Sequence, residues 1–223
     1  MTAPVVRGEP PQDALPTLAE LVDRVLAGPD PAPIVQPGHP VLRRPALRYD
    51  GQLADATFSA LVELMRRTMH AAPGVGLAAP QIGIPLALAV VEDPGALDAE
   101  LAAVRERPRL PFRVLVNPSY EAVGPARVSF YEGCLSVRGW QAVVARPRTI
   151  RLTGEDETGR TLDEVLVGWP ARIVQHETDH LHGTLYVDRA EPRSLATADG
   201  VGGSLAGEPT PTTAARLLGF DLA

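Results

Sequence analysis

WPARIVQHETDHLHG, residues 169–183, decides how the rest of the chain is read. Pro170 stands where a first helical residue belongs, because the N–H it lacks would have no partner there, and Gly183 stands where a helix ends on a left-handed cap. Ile173, Val174 and Leu181 can face a core. Inside this helix, His176-Glu177-Thr178-Asp179-His180 matches H-E-x-x-H. Residues four apart lie on one helix face, one turn from each other, so His176 and His180 can present two imidazoles to a single cation at about 2.0–2.1 Å. Glu177 is about 100° round the helix from His176. It is too far round to be a natural third ligand but can reach a water on the metal, which suits a general base. The competing reading is a solvated helix face carrying two histidines. The pattern arises by chance in about one chain of this length in a hundred. Its place in a capped helix with apolar flanks favours a metal.

Two histidines leave such a site incomplete, because a catalytic metal usually takes three protein ligands and a water. His182 is only two residues beyond His180 and points elsewhere, whereas Glu191 lies past the helix and stays open as a third ligand. Upstream, Cys134 sits in Glu132-Gly133-Cys134-Leu135-Ser136. A thiolate suits a soft or borderline metal, and glycine beside it lets backbone pass close to the site.

Working outward, 223 residues that are 45% apolar can build a single core. There is no apolar run of about 18 residues for a membrane span and no secretory apolar core at the N-terminus. Glu9, Asp13 and Glu20 argue against an organelle transit peptide, so a cytoplasmic protein is expected. The net charge is −6 and every one of the 21 basic residues is arginine, an abundance that points to coding bias. That charge gives no footprint for sequence-specific nucleic acid. A single cysteine excludes an intramolecular disulfide.

The spacing of Leu15, Leu18, Leu21, Val22, Val25 and Leu26 predicts an amphipathic helix over about 13–27, after a disordered start at 1–12 and before a GPDPAP linker at 28–33. A second helix is expected over 54–71, with Phe58, Leu61, Val62, Leu64, Met65 and Met69 inward. GVGLAAPQIG at 74–83 turns the chain. Strands are expected at 86–92 and at 112–118, the latter ended by Asn-Pro, with further strand-like segments around 120–130, 141–153 and 161–167. DETGR at 156–160 reads as a hairpin turn. Residues 93–110 are expected as a surface loop. Three divisions follow: an N-terminal extension 1–33, a catalytic domain 34–190 and a flexible tail 191–223.

Three segments in order, Gly74-Val75-Gly76-Leu77-Ala78-Ala79-Pro80-Gln81, Glu132-Gly133-Cys134-Leu135-Ser136 and Gln175-His176-Glu177-Thr178-Asp179-His180, make the chain resemble peptide deformylase across roughly residues 34–190. The resemblance implies an α+β fold in which mixed and antiparallel strands surround the motif helix, here with an extra N-terminal helix. It implies removal of the formyl group from N-formylmethionine at the start of nascent peptides, presented by the ribosome. It also implies one divalent metal, natively often Fe(II), on Cys134, His176 and His180, with Glu177 as acid/base and with Gln81 and the Leu135 N–H holding the formyl oxygen. Zn(II), Ni(II) and Co(II) suit the same ligands.

By the same resemblance, Val75, Gly76 and Gly133 contact the substrate backbone, much as an added strand would. Val75, Phe130, Trp169 and Ile173 are candidates for the methionine pocket, with His176 at its floor. Plain core packing is the alternative for Phe130 and Ile173. Glu132, beside a metal ligand, needs a partner, and Arg146 is expected by family analogy. Asp179 either orients the site or caps a surface. Arg138, Trp169 and Arg172 stand where relatives often carry other residues, which bears on pocket shape. A zinc endopeptidase, a deformylase of a small formylated metabolite and a non-catalytic metal- or ribosome-binding module are the competing functions.

Overall fold

A computed structural model describes residues 16–96 and 98–223. The expected disorder at 1–12 and the expected start of the first helix at 13–15 lie outside the described residues. Helix α1 spans Leu18–Leu26 and opens on a capping box between Thr17 and Glu20. Helix α2 covers Asp55–Ala71. Strand β1, Gly76–Ala78, and β2, Leu88–Asp93, follow the glycine-rich turn. The expected loop at 93–110 contains a short helix α3, Ala99–Val104. Its N-cap Asp98 accepts from the Leu101 N–H at 2.7 Å, a signal the loop reading passed over.

Strand β3 runs Leu110–Ala122, straight through the Asn-Pro pair expected to end it. The ladder shifts register there, with Asn117 in the left-handed region at φ 49°. The cost is offset because the Asn117 side chain mimics a strand, accepting from Tyr49 N–H at 2.8 Å and donating to Tyr49 C=O at 2.8 Å. Next come β4 (Arg127–Cys134), β5 (Val137–Pro147), β6 (Thr149–Glu155), β7 (Thr161–Val167) and helix α4 (Gly168–Leu181).

The strands form two antiparallel sheets, β1-β2-β3-β6-β7 and β4-β5-β8, where β8 is Ala196–Thr197. Side chains alternate across a strand. Leu88 and Val90 join Phe58, Leu61, Met65 and Met69 of α2 in one core, while Ala89 and Val91 join Ala171, Ile173, Val174 and Leu181 of α4 in another. The large sheet is covered on both faces, which explains why β2 reads as an unbroken apolar run.

Helix α4 is therefore buried against the sheet on one side, and its other side turns towards the β4–β5 hairpin. Pro170 falls at the third helical position rather than the first, still within the turn whose N–H groups need no helical partner. The C-terminus ends as expected. Thr184 N–H reaches Asp179 C=O at 3.0 Å and Gly183 N–H reaches His180 C=O at 3.1 Å, with Gly183 at φ 73°. This cap fixes the last turn, and with it the direction of His180.

Residues 191–223, expected as a flexible tail, carry helices α5 (Gly200–Gly207) and α6 (Thr212–Leu218). Leu205 and Ala214 pack on Tyr131 and Val143 of the hairpin. The Gly- and Thr-rich composition hid these helices because a few small apolar side chains hold them.

Candidate metal centre

Cys134 ends β4, Leu135 and Ser136 make the turn, and β5 begins at Val137. The hairpin aims the sulfur at the histidines of the α4 motif. Ligand atoms of Cys134, His176 and His180 all lie within 4.8 Å of one another. Cys134 Sγ is 3.3 Å from His180 Nε2, and the two imidazole rings meet edge-on with centroids 5.1 Å apart. Glu191 is elsewhere: its carboxylate caps a short turn, accepting from Arg193 N–H at 3.1 Å. The cysteine, not the downstream glutamate, completes the group.

The donor set fits a divalent cation. His176 Nδ1 is engaged by Glu132 at 2.9 Å, which leaves its Nε2 for a metal and fixes the ring. Burial alone lowers the His176 pKa, but hydrogen bonds to Cys134 and Glu132 outweigh it and hold the ring well above the ordinary histidine range. Burial, together with the charges on His176 and Arg146, holds His180 well below that range.

Glu177 is 4% exposed, and its Oε2 finds no hydrogen-bond partner among the described residues. Burial raises its pKa to about 7, against the opposing charges of His176 and Arg146. Across from it, a Cβ placed on Gly76 would lie 2.2 Å from Glu177 Oε1. Glycine at this position makes room for the carboxylate. Gln81 is buried on a short turn after β1, its Oε1 accepting from Ala78 N–H at 2.8 Å. That bond turns its NH₂ towards Cys134 Sγ at 3.6 Å and Ser136 Oγ at 3.3 Å. Leu135 C=O is held by Gln36 Nε2 at 3.0 Å, a partner the sequence reading did not include.

Behind the centre lies a buried ionic network. Arg146 donates to both oxygens of Glu132, at 2.6 and 3.0 Å, as expected. Arg172 was expected to alter the pocket, and it does line the cavity, but it also faces inward: its Nη1 donates to Glu132 at 2.5 Å and to the Val144 carbonyl at 3.0 Å, and its Nη2 donates to the Val128 carbonyl at 2.6 Å. The sequence did hold a signal for this pairing. Arg172 precedes His176 by four residues, so both share one helix face and one partner. Asp179 does not touch the imidazoles. It joins Arg146 at 2.8 Å, Tyr120 at 2.9 Å and Arg189 at 2.9 Å. No motif announced Tyr120, Arg189 or Tyr186, whose ring stacks on His176 at 6.1 Å.

The group opens into a cavity of about 380 Å³ whose walls include Val75, Gly76, Gly133, Trp169 and Ile173. Phe130 is not in the wall; it packs against Trp169 edge-on with centroids 5.8 Å apart. Strands β1 and β4 are edge strands of their two sheets, and both border this cavity.

The polypeptide deformylase family profile matches residues 31–195. The chain belongs to that family. It is 60% identical over 212 residues to peptide deformylase 1 of Streptomyces coelicolor, covering 95% of this chain and 96% of that protein. It is 53% identical over 190 residues to peptide deformylase of Bifidobacterium adolescentis, covering 85% and 87%. Among solved structures, a Synechococcus elongatus peptide deformylase in complex with actinonin superposes with a TM-score of 0.62 at 34% identity, covering 87% of this chain and 89% of that one. A class I type b enzyme from Acinetobacter baumannii bound to Met-Ala-Ser gives 0.63 at 32% identity, covering 71% and 98%. The α+β fold read from the three motifs is therefore the deformylase fold. The chain is a metal-dependent peptide deformylase that removes the formyl group from N-formylmethionyl peptides. No helix among the described residues is long and apolar enough to cross a membrane.

Proposed function

We propose that Cys134, His176 and His180 hold the enzyme's divalent cation and that Glu177 carries the proton of the hydrolysis. A cation bound there acidifies a water and polarises a carbonyl oxygen, which is the chemistry amide hydrolysis needs near neutral pH. The observation that carries the reading is three ligand atoms within 4.8 Å of one another, with the buried Glu177 carboxyl, its Oε2 without a described hydrogen-bond partner, lining the same cavity as Cys134 and His176. Such a carboxyl accepts a proton from the attacking water and returns it to the leaving amine with little driving force lost either way. Glu177 is free to do so because its Oε2 is held by no described protein group.

As the formyl carbon becomes tetrahedral, its oxygen gains charge. Gln81 Nε2, locked by the Ala78 N–H, and the Leu135 N–H are the proposed donors, each worth ~3 kcal/mol in the transition state. The substrate backbone lies as an added strand between the edges β1 and β4, beside Val75, Gly76 and Gly133. The methionine side chain fills the apolar part of the cavity between Val75, Trp169 and Ile173, over His176. Phe130 supports this wall by packing edge-on against Trp169.

Fe(II) is the proposed native ion, with Zn(II), Ni(II) or Co(II) as functional substitutes for the same ligands. A ligating thiolate beside Fe(II) predicts inactivation by oxygen, since the sulfur itself oxidises. Emerging chains on cytoplasmic ribosomes are the proposed setting. The test is formate release from formyl-Met-Ala-Ser compared with small formylated amines. Turnover far above that of the small amines supports peptide deformylation; a preference for the small amines refutes it.

A further inference from the structure

Beyond the metal centre, the geometry points to a second role for residues 196–209: through Ala198, and by holding Trp140 in place, they shape the outer rim of the cleft that engages the residues following the methionine. This inference rests on the deformylase reading of the site. The cavity runs from the buried Ile173 and Glu177 to the solvent-exposed Gly139, Trp140 and Ala198. The exposed lining also includes Pro73 and Gly133, so an extended peptide whose formyl end sits at Glu177 and Gln81, advancing about 3.3 Å per residue, has a path past this rim within a few residues.

The rim is built. Between Gly133↔Gln141 and Cys134↔Val137 the hairpin register jumps, so 138–140 bulge out of the ladder with Gly139 at φ 79°. A bulge beside a site re-aims a side chain, here Trp140, which is 46% exposed at the mouth. Strand β8 pins this bulge. It pairs with Trp140 and Gln141, Ala198 N–H donates to Gly139 C=O at 2.9 Å, and Gln141 Nε2 donates to Gly202 C=O at 2.8 Å.

The far end of the segment is tied to the pocket wall. Arg105 donates to the carbonyls of Ala206, Glu208 and Pro209 at 3.0, 2.7 and 3.4 Å. The same guanidinium lies 5.2 Å from the Trp169 ring centroid. Gly202 sets how closely α5 sits on β8, since a Cβ there would come 2.3 Å from Thr197 C=O.

The experiment compares kcat/KM for formyl-Met-Ala-Ser with that for formyl-methionine amide in the full-length metal-loaded enzyme. Wild type, Gly202→Ala, which displaces β8, and Ala198→Arg, which crowds an exposed rim position without touching the core, are measured together. The wild type should prefer the tripeptide. In both variants the tripeptide-to-amide ratio should fall about 3- to 10-fold, the size of one lost aromatic contact, through a higher tripeptide KM. Ala198→Arg decides the matter alone if Gly202→Ala does not fold. An unchanged ratio, or a wild type indifferent to peptide length, overturns the inference and leaves the deformylase reading standing. A wild type that releases formate from neither substrate overturns both.

Discussion

Gly76→Ala should nearly abolish turnover while leaving the fold in place. Gly76 pairs with Val91 in β1 and is not among the glycines at positive φ, so alanine suits its backbone. The obstacle is Glu177. The new methyl carbon would stand 2.2, 2.6 and 2.7 Å from its Oε1, Cδ and Cγ. Turning the carboxylate alone does not clear three atoms, so the side chain must retreat by more than ~1 Å to restore ordinary contact. A displacement of ~1 Å at a reacting group costs about 10²-fold in rate, rising towards ~10⁴-fold if proton transfer is lost entirely. The assay is formate release under anaerobic conditions, with metal content and the circular dichroism melt measured on the same sample. The expected result is kcat lowered at least ~10²-fold with metal content near that of wild type. An alanine variant that keeps more than half of the wild-type kcat would refute the placement of Glu177 as the proton carrier.

Other perturbations separate the network from the chemistry. Glu132→Gln leaves the guanidinium groups of Arg146 and Arg172 buried without their carboxylate. It should cost about 3–5 kcal/mol, readable as a lower Tm, and weaken metal binding ~10- to 100-fold by freeing the His176 ring. Burial opposes ionisation of Glu132, but Arg146, His176 and Arg172 hold its pKa well below the usual carboxylate range. Its contribution is therefore complete above the unfolded value of about 4.3 and is lost as pH falls through the depressed folded value. An acid titration of Tm should show a shallower acid limb in the glutamine variant; identical limbs would contradict the assignment.

Glu177→Gln should keep its metal and lose ~10²- to 10⁴-fold in kcat. In metal-free protein the same change should raise Tm at pH 8. A carboxyl whose folded pKa is raised to about 7 destabilises the fold as pH climbs above its unfolded value. The gain should vanish as pH approaches the ordinary carboxylate range, which a pH series of melts checks.

What could be read from the sequence was whatever is local or periodic. The α4 cap, the two histidines one turn apart and the apolar faces of α2 and β2 all follow from spacing. The meeting of Cys134 with α4 is a long-range fact, and only the order of three recognisable segments pointed to it. The strand running through Asn117-Pro118 was missed because its rescue comes from Tyr49, 68 positions away. Arg172 does line the cavity, but its buried pairing with Glu132 was not legible because that carboxylate lies 40 positions away on β4. The C-terminal helices were missed because composition reports flexibility, whereas anchorage comes from Arg105 and the hairpin. Phe130, a pocket candidate by resemblance with core packing as the alternative, packs edge-on against Trp169 and is not among the cavity's lining residues.

The central claim is that one thiolate and two imidazoles share a cation. X-ray absorption at the metal edge, on protein purified without air, tests it directly. The account predicts one sulfur scatterer at about 2.3 Å and two imidazole nitrogens at about 2.0–2.1 Å, with the sulfur lost in Cys134→Ala. A metal surrounded only by nitrogen and oxygen, with the same spectrum in Cys134→Ala, would contradict it.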